Sequence, residues 1–310
     1  MKDYIGSVRF FKNLILLLVI IFITVPTVFS FRYKAEIWDL EESLEQKETD
    51  LTQKEEDNEL LQQKVAALEE EAKKFHIDPE GPAYQALYPD FYAPQTLLAT
   101  TREAGVIYLT FDDGPSGRTP EILEILREEN VKATFFVIGG DSEARRQWMR
   151  DIVNEGHTIA MHTYTHDYDD IYESVEAYLE DMYRIFSLIK EATGVVPTHF
   201  RLPGGSINGY NYEVCQDIIS EMMRRGFVPY DWNVSSGDAS SGGATANQIL
   251  NNVVNGASGA SRGIVLMHDA GTKFTTVEAL RPMIRTLREM GFTFDCLQPD
   301  TAPILFGYAY

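Results

Sequence analysis

From Val106 onward the chain alternates between two hydrophobic periods. Val106-Ile107-Tyr108-Leu109 is an apolar, β-branched run that stops at Gly114-Pro115, as a buried strand ending in a loop would. Val131–Ile138 reads the same way. The segment before it, around Pro120–Glu128, carries Ile122, Leu123, Ile125 and Leu126 at helical spacing. A long helix is expected from about Tyr172 to Thr193, with Leu179, Met182, Ile185, Phe186 and Ile189 on one face. Further strands are read at His199–Leu202, Val228–Val234, Ile264–Met267 and Phe292–Cys296, and helices near Tyr212–Arg225, Thr245–Asn255 and Thr276–Met290. Strand–helix units of ~25–45 residues predict an α/β fold with a mostly parallel sheet, curved or closed into a barrel.

The amino-terminal quarter follows other rules. Lys2, Arg9 and Lys12 precede an almost wholly apolar run from Leu14 to Phe31, which fits an uncleaved membrane anchor or a signal peptide cut after Ser30. The run is about long enough to span a bilayer, which favours the anchor, with the carboxyl side outside. Neither reading fits a cytosolic chain. From Ile37 a heptad runs unbroken, with Ile37, Leu44, Leu51, Asn58, Val65 and Ala72 at a and Leu40, Lys47, Lys54, Leu61, Leu68 and Phe75 at d. This predicts a coiled-coil stalk with a polar middle, whose Asn58 suits a two-stranded homodimer; a solvated single helix or acidic linker is the alternative. Fully helical, the stalk would reach about 58 Å. Pro79, Gly81, Pro82, Pro89 and Pro94 then mark a Tyr-rich linker that packs onto the next domain. The expected domains are a cytoplasmic tip and anchor (1–35), stalk (36–76), linker (77–104) and one large catalytic domain (105–310).

Charge narrows the partners. Residues 1–35 carry five Lys/Arg against one acid, residues 36–74 carry five Lys against fourteen acids, and the whole chain is at -20. So acidic a body argues against nucleic acid. Cys215 and Cys296 sit among apolar residues and read as buried free thiols rather than a disulfide.

The chemistry gathers at the ends of the apolar runs. Asp112 and Asp113 would repel each other unless a cation or proton lies between them. His162 and His166 stand four apart, and Leu266-Met-His268-Asp269 ends another strand-like run with a histidine. Taken singly, the aspartates could be turn residues, the His162/His166 pair a surface helical turn, Arg201 an ion-pair partner and His268 a core residue. Together, one aspartate and two histidines make a three-ligand metal site, leaving an aspartate and a histidine for acid–base work. That is the pattern of a metal-dependent hydrolase. His157 and His199 read as structural.

Thr110–Pro115, His162–His166, Arg201-Leu-Pro-Gly-Gly205, Tyr230-Asp-Trp-Asn-Val234 and Leu266-Met-His268, in that order over roughly residues 105–300, resemble the motifs of the polysaccharide deacetylase family. These are carbohydrate esterases that share the domain of the nodulation chitooligosaccharide deacetylase. The resemblance implies a deformed (β/α) barrel that hydrolyses N-acetyl groups of amino sugars, or O-acetyl groups of xylan in some members. It implies Asp113, His162 and His166 as ligands of one divalent ion, with zinc the default and cobalt or nickel also suited. It further implies Asp112 as general base, Arg201 as its partner and His268 as general acid. Leu266 would line the acetyl pocket, a Gly204 N–H would meet the oxyanion, and Pro203 and Trp232 would border the substrate. The chain departs from the pattern at Gly204-Gly205, where many members carry an aromatic ring. It departs again at Ser235 and Ala239, where Asp and Trp are common, so Asp231 or Asp238 must supply the carboxylate behind His268. A membrane-held enzyme acting on cell-wall peptidoglycan is expected, N-acetylglucosamine before N-acetylmuramic acid. A chitooligosaccharide or acetylxylan deacetylase and a non-catalytic glycan-binding scaffold are the alternatives.

Overall fold

The computed structural model describes residues 10–22, scattered positions between 24 and 64, and residues 81–94 and 100–307. The chain divides into two compact units, Met1–Glu80 and Gly81–Tyr310. In the first, residues 10–22 are helical and present exposed apolar side chains, Ile15, Leu16 and Phe22 among them. Among the described residues no helix is long and apolar enough to cross a membrane. Of the span expected over Leu14–Phe31, residues 14–22 belong to the 10–22 helix and only scattered positions beyond them are described; most heptad positions of the stalk lie outside the described residues. The a positions Ile37, Leu44 and Leu51 are described, helical and exposed.

The second unit is built on the apolar run that opens the sequence pattern. Strand β1 (Val106–Gly114) is buried along nearly its whole length, as a strand covered on both faces must be. Strands β2 (Thr134–Val137), β3 (Thr158–Met161), β4 (His199–Phe200) and β5 (Val228–Pro229) follow outward on one side of it. Strand β7 (Gly263–His268) and then β6 (Val234–Ser235) lie on the other. Strand β8 (Thr293–Asp295) pairs with Val106–Tyr108, on the edge of β1 that β2 takes further along. Every pairing is parallel.

The strand expected over Val228–Val234 is in fact two short ones. Pro229 has no N–H to give, and the segment turns from one neighbour to another. Tyr230 N donates to Phe200 O at 2.9 Å, whereas Asn233 N donates to Ile264 O at 3.2 Å. This crossing segment links the two ends of the curled sheet, producing a short-stranded, irregular barrel.

Among the described residues seven helices surround the sheet: α1 (Thr119–Glu128), α2 (Glu143–Asn154), α3 (Tyr168–Ile171), α4 (Val175–Thr193), α5 (Cys215–Arg224), α6 (Ala246–Ala257) and α7 (Phe274–Glu289). The helix expected from Tyr172 starts at Val175, because Ser174 takes an extended conformation and its hydroxyl accepts from Ala177 N at 3.1 Å, an N-cap. Along β1, Ile107, Leu109 and Phe111 join the helix-facing core, while Val106 and Tyr108 join a smaller cluster with Phe136, Tyr230 and Ile264 inside the barrel. By that parity Thr110 and Asp112 face the interior. Residues of the Tyr-rich linker pack on the same body: Phe91 is fully buried, and Arg225, paired with Glu221, donates to the carbonyls of Leu87 and Tyr88 at 2.9 and 3.1 Å. Cys215 and Cys296 are buried free thiols.

Candidate active site

In a regular strand Asp112 and Asp113 would point to opposite faces. The β1–β2 register breaks between Asp112 and Gly114, and Asp113 sits in the bulge at φ 68°. A bulge spends one residue without a partner and re-aims its side chain. Both carboxylates therefore reach the carboxyl end of the barrel. His268 pairs directly with Asp112 across β1 and β7, His162 follows the last residue of β3, and Arg201 follows the last of β4. The sheet collects these groups from four strand ends.

His162 and His166 do not form a helical turn. They lie in a loop where Thr163 (φ 74°) and His166 (φ 57°) take left-handed conformations, a cost that a surrounding structure must hold in place. Asp181 of α4 does much of that holding. Its buried carboxylate accepts from Tyr164 N, from Thr165 N at 3.2 Å and from Thr165 Oγ1 at 2.7 Å. Nothing in the motif order points to Asp181. Its sequence signal is an acid on the apolar stripe of a helix, three residues after Tyr178 and four before Ile185.

The ligand atoms of Asp113, His162 and His166 lie within 4.8 Å of one another. Asp113 Oδ1 stands 3.3 Å from His166 Nε2 and 3.6 Å from His162 Nε2, buried and without a hydrogen-bond partner. A buried carboxylate oxygen left unpaired is costly unless something cationic meets it. The His162 ring is oriented to match. Its Nδ1–H donates to Arg201 O at 2.8 Å, which leaves the Nε2 lone pair facing Asp113. Burial lowers the His162 pKa to about 3, so the ring is neutral, as a ligand must be. This donor set fits one divalent ion.

Asp112 has a different neighbour. The guanidinium of Arg201, wholly buried, donates from Nη1 to Asp112 Oδ1 at 2.7 Å and to Thr110 Oγ1 at 2.8 Å. Its Nε and Nη2 donate to the carbonyls of Tyr230 and Asp231 at 2.9 and 3.2 Å, and its face lies 4.1 Å from the Phe136 ring centre. Burial pushes the Asp112 carboxyl up, while the Arg201 charge and then His268 oppose that shift. The second oxygen, Oδ2, lies on the side of the Asp113–His162–His166 cluster, 3.7 Å from His162 Nε2.

The carboxylate behind His268 is Asp238. His268 Nδ1 lies 2.7 Å from Asp238 Oδ1, and His268 N donates to Asp238 Oδ2 at 2.8 Å. Thr276 Oγ1 also donates to Oδ2 at 2.9 Å, and Lys273 Nζ donates to the Asp238 carbonyl at 2.8 Å. Burial alone would lower His268, but hydrogen bonding and charge from Asp238 outweigh it and raise its pKa. Asp238 is lowered in turn: its own burial works against ionisation and His268 overcomes it.

Asp231 holds the scaffold instead. Fully buried, it accepts from Ser206 N at 2.8 Å and from Phe306 N at 2.6 Å, tying the Gly205–Ser206 loop to the carboxyl-terminal segment. Pro203 is buried, with its carbonyl accepting from Tyr172 at 2.7 Å. Trp232 is partly exposed, edge-on to Phe306 at 4.8 Å, and Leu266 is nearly buried on β7. Gly204 is exposed at φ 76°. His157 and His199 are buried away from these groups, each lowered to about 4 by burial.

Comparison with known proteins agrees with this geometry. Residues 99–222 match the family model described as polysaccharide deacetylase. A peptidoglycan-N-acetylglucosamine deacetylase of Bacillus cereus is 32% identical over 204 residues, covering 64% of this chain and 72% of that protein. A chitooligosaccharide deacetylase of a Bradyrhizobium strain is 31% identical over 199 residues, covering 60% and 86%. Among solved structures, the catalytic domain of peptidoglycan N-acetylglucosamine deacetylase from Eubacterium rectale superposes with a TM-score of 0.63. It is 34% identical and covers 68% of this chain and 96% of that one.

Proposed function

Because the chain belongs to the polysaccharide deacetylase family, we propose that it is a metal-dependent hydrolase of N-acetyl groups on cell-wall peptidoglycan, N-acetylglucosamine ahead of N-acetylmuramic acid. The observation that carries the chemistry is the placement of Asp112 and His268 as register partners beside the Asp113–His162–His166 cluster, each backed by a different partner.

A bound divalent ion, zinc by default, supplies Lewis-acid polarisation of the acetyl carbonyl and makes water easier to deprotonate. Asp112, its Oδ1 held by Arg201, takes a proton from the attacking water through Oδ2. The water oxygen bonds to the carbonyl carbon. The backbone N–H of Gly204, which donates to no described residue, meets the negative oxygen that results. His268 then gives its Nε2 proton to the amide nitrogen as the C–N bond breaks, since an amine anion cannot leave unprotonated. Acetate and a free amino sugar are the products. Leu266 borders the acetyl methyl, and Trp232 and Pro203 border the sugar.

Residues 14–31 serve in this reading as an uncleaved anchor, with the enzyme outside the membrane and the heptads from Ile37 holding it at the wall as a two-stranded stalk. The apolar residues exposed on the 10–22 helix, and the exposed a positions Ile37, Leu44 and Leu51, support that assignment. Similarity to a chitooligosaccharide deacetylase at nearly the same identity favours one second reading, action on short soluble chitin oligomers. The test is acetate release by the full chain with added zinc, on purified peptidoglycan, chitooligosaccharides and acetylated xylan. Release from peptidoglycan supports the wall enzyme, and release from the oligomers alone supports the second reading. Metal-loaded protein that binds glycan and releases no acetate would make it a binding scaffold.

A further inference from the structure

One aromatic side chain at the mouth of the site takes no part in the chemistry above. Tyr168, in the first turn of α3, packs edge-on against the metal-cluster residue His166, with ring centres 5.4 Å apart and planes at 78°. On its other sides it meets Tyr172 at 5.8 Å and Tyr210 at 4.9 Å, both edge-on. Tyr210 is 65% exposed. Tyr168 is partly exposed, and its hydroxyl has no hydrogen-bond partner among the described residues. That is unlike the nearby Tyr172, whose hydroxyl is spent on Pro203 O at 2.7 Å.

Tyr168 also determines what can stand at Gly204. A Cβ built there would come 3.1 Å from both the Tyr168 hydroxyl oxygen and its Cε1, and 2.9 Å from Asn208 Nδ2. The loop after Pro203 already takes φ 76° at this position, which favours glycine. The space where a side chain from that loop would form the groove wall is filled by a ring arriving from α3.

We infer that Tyr168 and Tyr210 form the sugar-binding wall on this side of the site, a specificity-determining pair that positions a pyranose ring beside the Asp113–His162–His166 cluster. The inference rests on the deacetylase reading for its ligand class, a β-linked N-acetylated glycan. A pyranose presents a face of C–H groups, which an aromatic face attracts through its negative quadrupole. Tyrosine adds a hydroxyl for a sugar oxygen at low entropic cost, and here that hydroxyl is uncommitted. Three edge-on neighbours fix the Tyr168 ring, so little freedom is lost on binding. Tyr210, more exposed, extends the wall by one further ring.

The test separates binding from turnover. The probe is a tetramer of β-1,4-linked N-acetylglucosamine, titrated by calorimetry into zinc-loaded full chain carrying Asp112→Asn, with and without Tyr168→Ala. The inference predicts that Tyr168→Ala weakens Kd by about three- to ten-fold. Tyr210→Ala should weaken it less, and Tyr168→Phe should restore most of the stacking while leaving the hydroxyl's share lost. In the otherwise wild-type enzyme Tyr168→Ala raises KM on the tetramer with little change in kcat, the mark of lost uniform binding. Equal affinity with and without Tyr168→Ala, including no binding by either, overturns the wall. A kcat loss at constant KM overturns it too, since that would make Tyr168 part of the chemistry. Failure of the deacetylase reading looks different: glycan binds, Tyr168 matters for it, and no acetate appears.

Discussion

Two buried pairs flank the Asp113–His162–His166 cluster, and each joins a carboxylate to a cationic partner. On one side Asp112 meets Arg201, whose charge is permanent; on the other Asp238 meets His268, whose charge is not. The first pair stabilises an acceptor, since a guanidinium gives its hydrogen bond and never its proton. The second stabilises a donor, because Asp238 favours the protonated imidazole and keeps Nε2 loaded. Two similar contacts of 2.7 Å thus suit the opposite acid–base roles proposed for them, set by the titrating partner.

The largest break in that contrast comes from neutralising the acceptor. Asp112→Asn keeps the shape and the Arg201 contact but cannot take a proton, and kcat should fall about a hundred- to ten-thousand-fold. Metal content measured on the same sample should stay near one ion per chain, whereas His162→Ala should lose the ion along with activity. Next comes Arg201→Met, which leaves Asp112 buried and unpaired; chemical denaturation should show a loss of about 3–5 kcal/mol. A loss below 1 kcal/mol would mean that water reaches the pair.

Asp238→Asn sharpens the donor side. The His268 pKa is raised in the folded protein, so the protonated acid persists above the histidine value of about 6.5 and is lost as pH rises through the raised pKa. Removing the carboxylate should bring the alkaline limb of kcat/KM down toward more acidic pH. The pair's stability contribution has the same upper edge. Its lower edge lies where pH falls through the depressed Asp238 pKa, so between the two the variant should be less stable than wild type and outside them the gap should close. An alkaline limb that does not move would detach His268 from that limb. The smallest effect is at Asp181→Asn, which weakens the support of the His162–His166 loop without touching either pair. Metal affinity should fall about ten- to a hundred-fold with the acid and base limbs unmoved.

Most of this site was legible in the sequence because its groups end long apolar runs. Asp112 lies near the end of β1 and His268 closes β7, and runs of that length are read from period and composition alone. The candidate ligands His162 and His166 were legible from their spacing only in combination with the other motifs. What was not legible depended on contacts distant in sequence. The choice between Asp231 and Asp238 is made by Ser206 and Phe306 on one side and by Thr276 on the other. The bulge that turns Asp113 toward the cluster is a property of the β1–β2 pairing. Strands β4, β5 and β6 have two residues each, so the strands read at His199–Leu202 and Val228–Val234 were drawn too long, and no range was read for β3 or for the helix before it. Gly204 reads in the sequence as a wall without its ring; in three dimensions Tyr168 fills the place.

The division of labour between the two pairs is tested most directly by leaving-group dependence. The measurement compares His268→Ala with wild type on two acetyl donors: the amide of a chitooligosaccharide and an aryl acetate ester, whose phenolate departs without a proton. If His268 is the proton donor, the variant loses about a hundred- to ten-thousand-fold on the amide and far less on the ester, while Asp112→Asn loses heavily on both. Equal losses on amide and ester for His268→Ala would contradict the assignment and place His268 before bond cleavage.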